Sequence, residues 1–226
     1  MNKGIFITGT GTDVGKTYVA GLLVKKLHEQ GINVGYFKVA MSGNDRDTKG
    51  RLIPGDALRV KTVSGISQPL DEMCPYVYEH AFSPHLASRI EDRPVDLNKV
   101  NGFYKSICQK YEFVIAEGSG GIVCPIRYDD KKIFLIDIIK QLNLPCLIVA
   151  DAGLGTINNV VLTCEYMKQH NLNTKGIIFN NFEKKNIMHQ DNKLMCEEIT
   201  GIPVIECVEK DSAGVNLSPE NLFTEQ

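Results

Sequence analysis

Short apolar runs rich in β-branched residues recur along the chain. They occupy residues 4–8, 33–40, 112–118, 145–151, 175–181 and 202–208. Because these runs are apolar on both faces, they are typical of strands in a parallel sheet that is covered on both sides. Most of them are separated by segments with helical spacing, at residues 16–30, 133–142, 158–170 and 186–200. This alternation predicts an α/β fold, a three-layer sandwich with a mostly parallel central sheet.

Residues 41–111 interrupt the alternation, because they are too many for a simple crossover between the second and third predicted strands. Two short helices are predicted within this excursion, in the stretches GDALRVKTV and SPHLASRI. Ser83 followed by Pro84 is a helix-start signal for the second of them. Functional residues often lie in such excursions, at the carboxyl ends of strands.

The composition of the chain limits the classes of protein to which it can belong. The 226 residues carry a net charge of only -2, the pI is about 6.2, and no shift in composition divides them, so a single domain over residues 1–226 is predicted. The balanced charge disfavours a nucleic acid or an anionic membrane as a partner. Neither a secretory signal nor an apolar run of membrane-spanning length is found. The seven cysteines are an odd number without a Cys-x-x-Cys pair, which favours buried, reduced thiols in a cytoplasmic protein.

The stretch GTGTDVGKT, residues 9–17, lies between the first predicted strand and the first predicted helix. It ends like a phosphate-binding loop, but five residues rather than four separate Gly9 from Gly15. Glycines let backbone N–H groups converge on phosphate oxygens, Lys16 is placed to reach the terminal phosphates, and the Thr17 hydroxyl can bind Mg²⁺. A turn that served only close packing would need neither Lys16 nor Thr17, so the phosphate-binding interpretation is preferred.

Lys38 lies at the end of the second predicted strand, and Ser42 follows four residues later. A lysine at a strand end is commonly an ordinary surface residue. The second strand is, however, expected to neighbour the first, so that its end opens beside the phosphate-binding loop. A second cation there, with a serine hydroxyl nearby, suits a negatively charged acceptor that faces a γ-phosphate.

Carboxylates and amides complete the candidate site. Glu117 ends a buried strand and precedes a glycine-rich turn, which suits either a metal ligand opposite the phosphate-binding loop or a turn carboxylate. Asp56 in PGDAL is either a helix N-cap or a further oxygen ligand for the same ion. Asn180 and Asn181 end a later strand, where their amides would either bind a purine edge or stabilise a turn.

These segments together resemble one family, dethiobiotin synthetase. The resemblance rests on the long loop, the lysine and serine of KVAMSG, the GDA, the SPH, the EGSGG followed by Pro125, and the GTIN at residues 155–158. They occur in the same order and with similar spacing from residue 9 to about residue 208, and the loop of this family is characteristically one residue longer than the common pattern. No single segment is decisive, but six in order form a specific signal.

The resemblance implies a P-loop NTPase-like fold and an ATP-dependent ligase that forms the cyclic urea of dethiobiotin from 7,8-diaminononanoate and CO2. In that family the diamine captures CO2 as a carbamate, the carbamate attacks the γ-phosphate, and the second amine closes the ring with release of phosphate. By position, the implied catalytic residues are Lys16 and Lys38, and the implied Mg²⁺ ligands are Thr17, Asp56 and Glu117. The implied substrate contacts are Ser42, Gly155, Thr156, Ile157 and Asn158. The implied nucleotide contacts are Asp13, Val14, Gly15, Lys16, Thr17, Asp56, Glu117, Gly118, Ser119, Gly120, Asn180 and Asn181.

The family is also homodimeric, with the substrate carboxylate held near the interface by a helix start of the partner subunit. The GTIN segment opens the helix predicted at residues 158–170, and free N–H groups at such a start bind anions well. The resemblance therefore implies a dimer with shared sites.

Some positions depart from the family pattern. Residues common in the family are replaced, without loss of a cation or a metal ligand, at Gly11, Asp13, Val39 and Asn159. Related sequences carry a glycine and then a proline near the nucleotide base, and Glu206 and Glu209 stand in those places. The nucleotide preference therefore stays open.

Two other classes of protein share this kind of sheet. A partner-regulated ATPase switch of the partitioning or septum-positioning type carries a further lysine five residues before the main one, where this chain has Gly11. Such switches often have a basic surface or an amphipathic tail, and the stretch SAGVNLSPENLFTEQ is neither. An amide-forming ligase of the cobyrinate type would normally need an ammonia-producing glutaminase, for which a single domain leaves no room.

Overall fold

Parallel strands form the central layer of the protein in a computed structural model, which describes residues 4–217 and residue 222. In that part of the chain the strands are β1 (Gly4–Gly9), β2 (Val34–Lys38), β3 (Ala40–Met41), β4 (Tyr76–Val77), β5 (Phe113–Glu117), β6 (Pro125–Tyr128), β7 (Lys132–Phe134), β8 (Cys146–Asp151), β9 (Thr174–Asn180) and β10 (Val204–Cys207). The helices are α1 (Lys16–Glu29), α2 (Gly55–Ser64), α3 (Pro84–Ile90), α4 (Leu97–Lys110), α5 (Leu135–Leu142), α6 (Thr156–Gln169) and α7 (Ile187–Thr200), with a 3-10 turn at Leu70–Glu72.

The main sheet has the order β10-β9-β8-β1-β5-β2, and all neighbouring strands in it are parallel. Each face of this sheet has its own core. On β1, Ile5 and Ile7 belong to the core that includes residues of α1 and α2, while Phe6 belongs to the core that includes residues of α4, α5 and α6. Burial on both faces explains why the strands are continuously apolar, and the predicted three-layer α/β sandwich is confirmed.

The expectation that the second strand neighbours the first is wrong, because β5 lies between them. Glu117 of β5 is in register with Ile7 of β1 on one side and with Lys38 of β2 on the other. The long excursion after β2 returns the chain to the sheet as β5. Strand β5 then fills the position between β1 and β2. Lys38 therefore approaches the phosphate-binding loop across the end of β5.

Helix α4 and the antiparallel pair β6–β7 were not among the predicted elements. Helix α4 carries its own start signal, since the Asp96 side chain accepts from the N–H groups of Asn98 and Lys99. The helix predicted from residue 133 begins only at Leu135, because residues 132–134 pair with β6 instead.

Other predicted features match the structure. Helices α2 and α3 occupy the two stretches predicted in the excursion, and α3 begins at Pro84 after Ser83. All seven cysteines are free, but Cys108 is exposed, and Cys124 and Cys207 are half-buried, so only the other four fit the expected burial. No helix of the described residues combines the length and apolarity that a membrane crossing needs.

Candidate active site

A cleft of about 820 Å³ opens at the carboxyl ends of the parallel strands. It is lined by the loop after β1, the end of β2 and the segment after it, the start of α2, and the ends of β5 and β9. Among the predicted site residues, those that line it are Asp13, Gly15, Lys16, Thr17, Lys38, Ser42, Asp56, Glu117, Ser119, Gly120, Asn180 and Asn181. Residues far apart in sequence are thus brought to one place, which is where open α/β sheets bind ligands.

The loop between β1 and α1 needs glycine at its last position. Gly15 has φ of 98°, in the left-handed region, and serves as the N-cap of α1. A Cβ added there would lie 2.1 Å from Nδ2 of Asn180. The loop and the end of β9 therefore pack without space for a side chain, and the start of α1 opens directly into the cleft.

Lys16 is the first residue of α1, and its side chain is buried against the loop. Its ammonium donates to the Gly11 carbonyl at 2.6 Å. Burial and then the nearby charge of Lys38 lower the pKa of Lys16, against the opposing charge of Glu117. The helix start adds positive potential of its own. This end of the cleft therefore favours an anion.

Lys38 lies between two carboxylates. Its Nζ is 2.6 Å from Asp56 Oδ2 and 2.6 Å from Glu117 Oε1, and Glu117 is fully buried. Burial by itself would lower the pKa of Lys38, but Glu117 and Asp56 more than offset it, so the pKa is raised. Burial likewise opposes ionisation of Asp56, yet Lys38 holds the pKa of that carboxyl below its ordinary value. The lysine is thus cationic and points into the cleft, as the sequence predicted, and not into solvent.

Thr17 and the two carboxylates form a donor set that fits a divalent cation. The Thr17 hydroxyl donates to Glu117 Oε1 at 2.7 Å, the same oxygen that binds Lys38. One oxygen of each carboxylate already forms an ion pair with the Lys38 ammonium. In the described part of the chain, no group of three or more His, Cys, Asp or Glu side chains could hold a metal ion. Phosphate oxygens would therefore have to complete the coordination, which is how Mg²⁺ is commonly bound.

Two polar side-chain atoms of the cleft are buried without an internal partner, Oγ of Ser42 and Oδ1 of Asn180. The amide of Asn180 is oriented by its other atom, since Nδ2 donates to the Val14 carbonyl at 3.2 Å. Buried polar atoms are nearly always hydrogen-bonded in folded proteins, so an unpaired one beside a cleft is a candidate for a ligand contact. Ser42 is among the residues predicted to bind the substrate, and Asn180 is among those predicted to bind the nucleotide.

Other predicted site residues do not line the cleft. Val14 contributes only the carbonyl that orients Asn180. Gly118 is a packing glycine, because a Cβ there would lie 2.8 Å from the Leu135 side chain. The four residues at the start of α6, Gly155, Thr156, Ile157 and Asn158, lie outside the cleft of their own chain. Gly155 is the N-cap of α6, with φ of 88°, so this segment opens the helix as predicted, although the helix begins at Thr156 and not at residue 158.

Sequence reasoning missed several lining residues, namely Tyr18, Phe82, Cys124, Arg59, Lys210 and Asp211. Arg59 had a signal, since it follows Asp56 by three residues and so shares its helix face. The two glutamates at the expected base-binding segment do not enter the cleft. Glu206 accepts from the N–H groups of Cys207 and Asn216, and Glu209 pairs with Lys184 at 2.8 Å.

Comparisons with known proteins show which proteins this chain resembles. A family model described as an AAA domain matches residues 3–216. The chain is 53% identical over 209 residues to the ATP-dependent dethiobiotin synthetase BioD of Brachyspira hyodysenteriae, with 92% of each chain covered. It is 47% identical over 216 residues to a protein of the same name from Clostridium perfringens, with 93% of this chain and 94% of that relative covered.

Solved structures show the same fold at much lower identity. A ParA family ATPase from Chlorobium tepidum matches with a TM-score of 0.57 and 14% identity, over 94% of this chain and 86% of that one. A chain of the MinC:MinD cell division protein complex from Aquifex aeolicus matches with a TM-score of 0.57 and 15% identity, over 92% of this chain and 82% of that one. Likeness at this level concerns the fold alone.

Proposed function

The chain belongs to the ATP-dependent dethiobiotin synthetase family, and from that membership we propose that it closes the cyclic urea of dethiobiotin from 7,8-diaminononanoate and CO2. As a member of this family it is an ATP-dependent ligase of biotin synthesis. The proposed ring closure is supported by two buried ammonium groups, those of Lys16 and Lys38, which different elements bring to one cleft. Two cationic side chains in one cleft suit a reaction that brings two anions together.

The proposed reaction brings a carbamate and a triphosphate together. One amine of the diamine adds to CO2 and loses a proton, which gives the carbamate. A carbamate oxygen then attacks the γ-phosphorus, and ADP leaves. The second amine attacks the carbamate carbon, phosphate leaves, and the ring closes as that amine loses its proton. No protein nucleophile is required, so the side chains act by positioning the reactants and by neutralising their charge.

The residues of the cleft divide this task by location. Lys16 and the first N–H groups of α1 bind the terminal phosphates, and Lys38 binds the carbamate from the end of β2. The unpaired hydroxyl of Ser42 binds the substrate. Mg²⁺, when bound, would be held by Thr17, Asp56 and Glu117 and would neutralise charge on the phosphates.

The proposal is tested by phosphate release from purified protein. The assay contains the diamine, bicarbonate, Mg²⁺ and each nucleoside triphosphate in turn, and it is repeated without the diamine. We expect release that requires the diamine and yields a cyclic urea detectable by mass spectrometry. Phosphate release that ignores the diamine would reject the ligase and favour a partner-regulated ATPase switch. The same series reports the nucleotide preference.

A homodimer is the second part of the proposal, and exposed apolar side chains support it. Leu154, directly before α6, is 93% exposed, and Leu162 on α6 is 63% exposed. They flank a helix start that lies outside the cleft of its own chain. A partner subunit that covered these leucines would bring the free N–H groups of this helix start to the second cleft, where they can bind the substrate carboxylate.

We expect Leu162→Glu to dissociate the dimer and to lower turnover together with it, because a buried charge disfavours the interface and the partner's helix start is then lost. Sedimentation velocity measures the oligomeric state, and the phosphate assay measures turnover in the same samples. Ile199→Glu is the matched control, since Ile199 is 50% exposed near the carboxyl end of α7. A monomeric variant with full activity would contradict shared sites.

A further inference from the structure

The phenol of Tyr36 reaches the active site from the protein interior. Tyr36 lies two residues before Lys38 on β2, so both side chains project from the same face of the sheet. Its hydroxyl donates to Glu117 Oε2 at 2.7 Å, and both residues are fully buried. The phenol does not line the cleft, and its hydrogen bond to the carboxylate is what connects it to the site.

The two carboxylate oxygens of Glu117 lie in different surroundings. Oε1 faces the cleft and accepts from Thr17 and Lys38, whereas Oε2 accepts from Tyr36. The last torsion of a glutamate is broad, so nothing intrinsic to the side chain decides which direction its oxygens take. A donor on the inner oxygen restrains that torsion and keeps the outer oxygen turned toward the cleft.

Tyr36 is itself held in place by a side chain. Strand β2 is an edge strand of the main sheet. The amide of Gln68 covers this edge at Tyr36, accepting from its N–H at 2.7 Å and donating to its carbonyl at 3.0 Å. Gln68 is 1% exposed, so these bonds are protected from water. The backbone of Tyr36 is thus fixed on one side and its hydroxyl on the other.

We propose that Tyr36 is a positioning residue of this active site, which orients Glu117 so that one carboxylate oxygen is presented to Thr17 and to the cation-binding side of the cleft. The inference rests on the proposed function, since that function gives Glu117 its role.

The test uses Tyr36→Phe, which removes the hydroxyl and retains the ring. Removing an outer partner of a metal ligand typically lowers metal affinity or activity by about 10-fold to 100-fold. We expect the gain in ATP affinity that Mg²⁺ provides, measured by calorimetry with and without EDTA, to fall by about 10-fold. ATP affinity in EDTA should stay unchanged. In the turnover assay kcat should fall by a similar factor, while KM for the diamine stays unchanged because Ser42 is untouched.

Tyr78→Phe is the matched control. Tyr78 is also fully buried, and its hydroxyl donates to the Arg93 carbonyl at 2.7 Å, away from the cleft. It should lose thermal stability without changing the Mg²⁺-linked affinity or kcat. If Tyr36→Phe behaves like this control, or if it raises KM for the diamine at constant kcat, the inference is overturned.

Gln68→Met provides a second variant that leaves the phenol in place. We expect a smaller loss of Mg²⁺-linked ATP affinity in the same direction, because the backbone of Tyr36 is then released. An unchanged affinity in Gln68→Met, if Tyr36→Phe does not fold, overturns the inference.

The binding experiment contains no diamine, so its failure is distinct from failure of the ligase. A wild-type protein without diamine-dependent turnover would reject the proposed function instead.

Discussion

Lys38→Met is expected to raise the activation free energy by about 3 kcal/mol and so to lower kcat on the order of 100-fold, because it removes the proposed electrostatic contact to the carbamate. The methionine keeps an unbranched apolar side chain of similar length. Diamine-dependent phosphate release measures the loss, and Mg²⁺–ATP binding measured by calorimetry should change much less than kcat. Near-normal turnover would remove Lys38 from the mechanism.

The same substitution leaves Glu117 buried without its cationic partner, which usually destabilises a protein by about 3 to 5 kcal/mol. Thermal denaturation of Lys38→Met should therefore show a lower Tm. The double variant Lys38→Met with Glu117→Gln removes both charges and should recover stability but not turnover. Lys110→Met is the control for loss of a lysine ion pair, since Lys110 pairs with Glu72 at 2.9 Å outside the cleft.

The strands of the main sheet could be predicted because burial on both faces leaves an unbroken apolar run in each of them. Their order could not be predicted in the same way. Adjacent position in sequence suggested that β2 lies beside β1, whereas the pairing of Glu117 with both Ile7 and Lys38 places β5 between them. Such pairing joins residues that are 110 and 79 positions apart, and no local sequence pattern reports it.

Helix α4 shows why an element with a recognisable start can still be missed. It buries only Val100, Tyr104 and Ile107, while most of its other positions are exposed. That spacing of four and three is helical, and Asp96 is a capping residue, but the stripe is narrow in a mostly polar segment. The pair β6–β7 is similar, since its strands are short and one of them begins with proline.

The site was predicted best where its residues are contiguous. The loop from Gly9 to Thr17 contains, within one stretch of sequence, the residue types that bind phosphate. The strand ends could be located from the apolar runs. Arg59, Lys210 and Asp211 enter the cleft only because the fold brings their elements there. Tyr36 has no sequence signal at all, because an aromatic residue in a buried strand is typical of a core position.

Lys16→Met is expected to weaken ATP binding strongly and to raise the free energy of the transition state by about 3 kcal/mol, which lowers turnover on the order of 100-fold. Of the two lysines, Lys16 is the one at the start of α1, where its ammonium and the helix N–H groups would bind the same phosphates in the proposed complex. Calorimetry with ATP and with AMP separates the contributions. ATP affinity should fall strongly, whereas AMP, which lacks the terminal phosphates, should bind almost as well as to the wild-type protein.

The structure also predicts that this loss of function does not lower stability. Burial and the charge of Lys38 both disfavour the ammonium of Lys16 in the folded protein, whereas the charge of Glu117 and the bond to the Gly11 carbonyl oppose this effect. Methionine removes the disfavoured charge, so the Tm of Lys16→Met at neutral pH should equal or exceed that of the wild type. A lower Tm together with equal losses for ATP and AMP would mean that the lysine supports the loop rather than the phosphates. Because the proposed function needs a cation at a position where folding disfavours one, stability and activity should change in opposite directions at this residue.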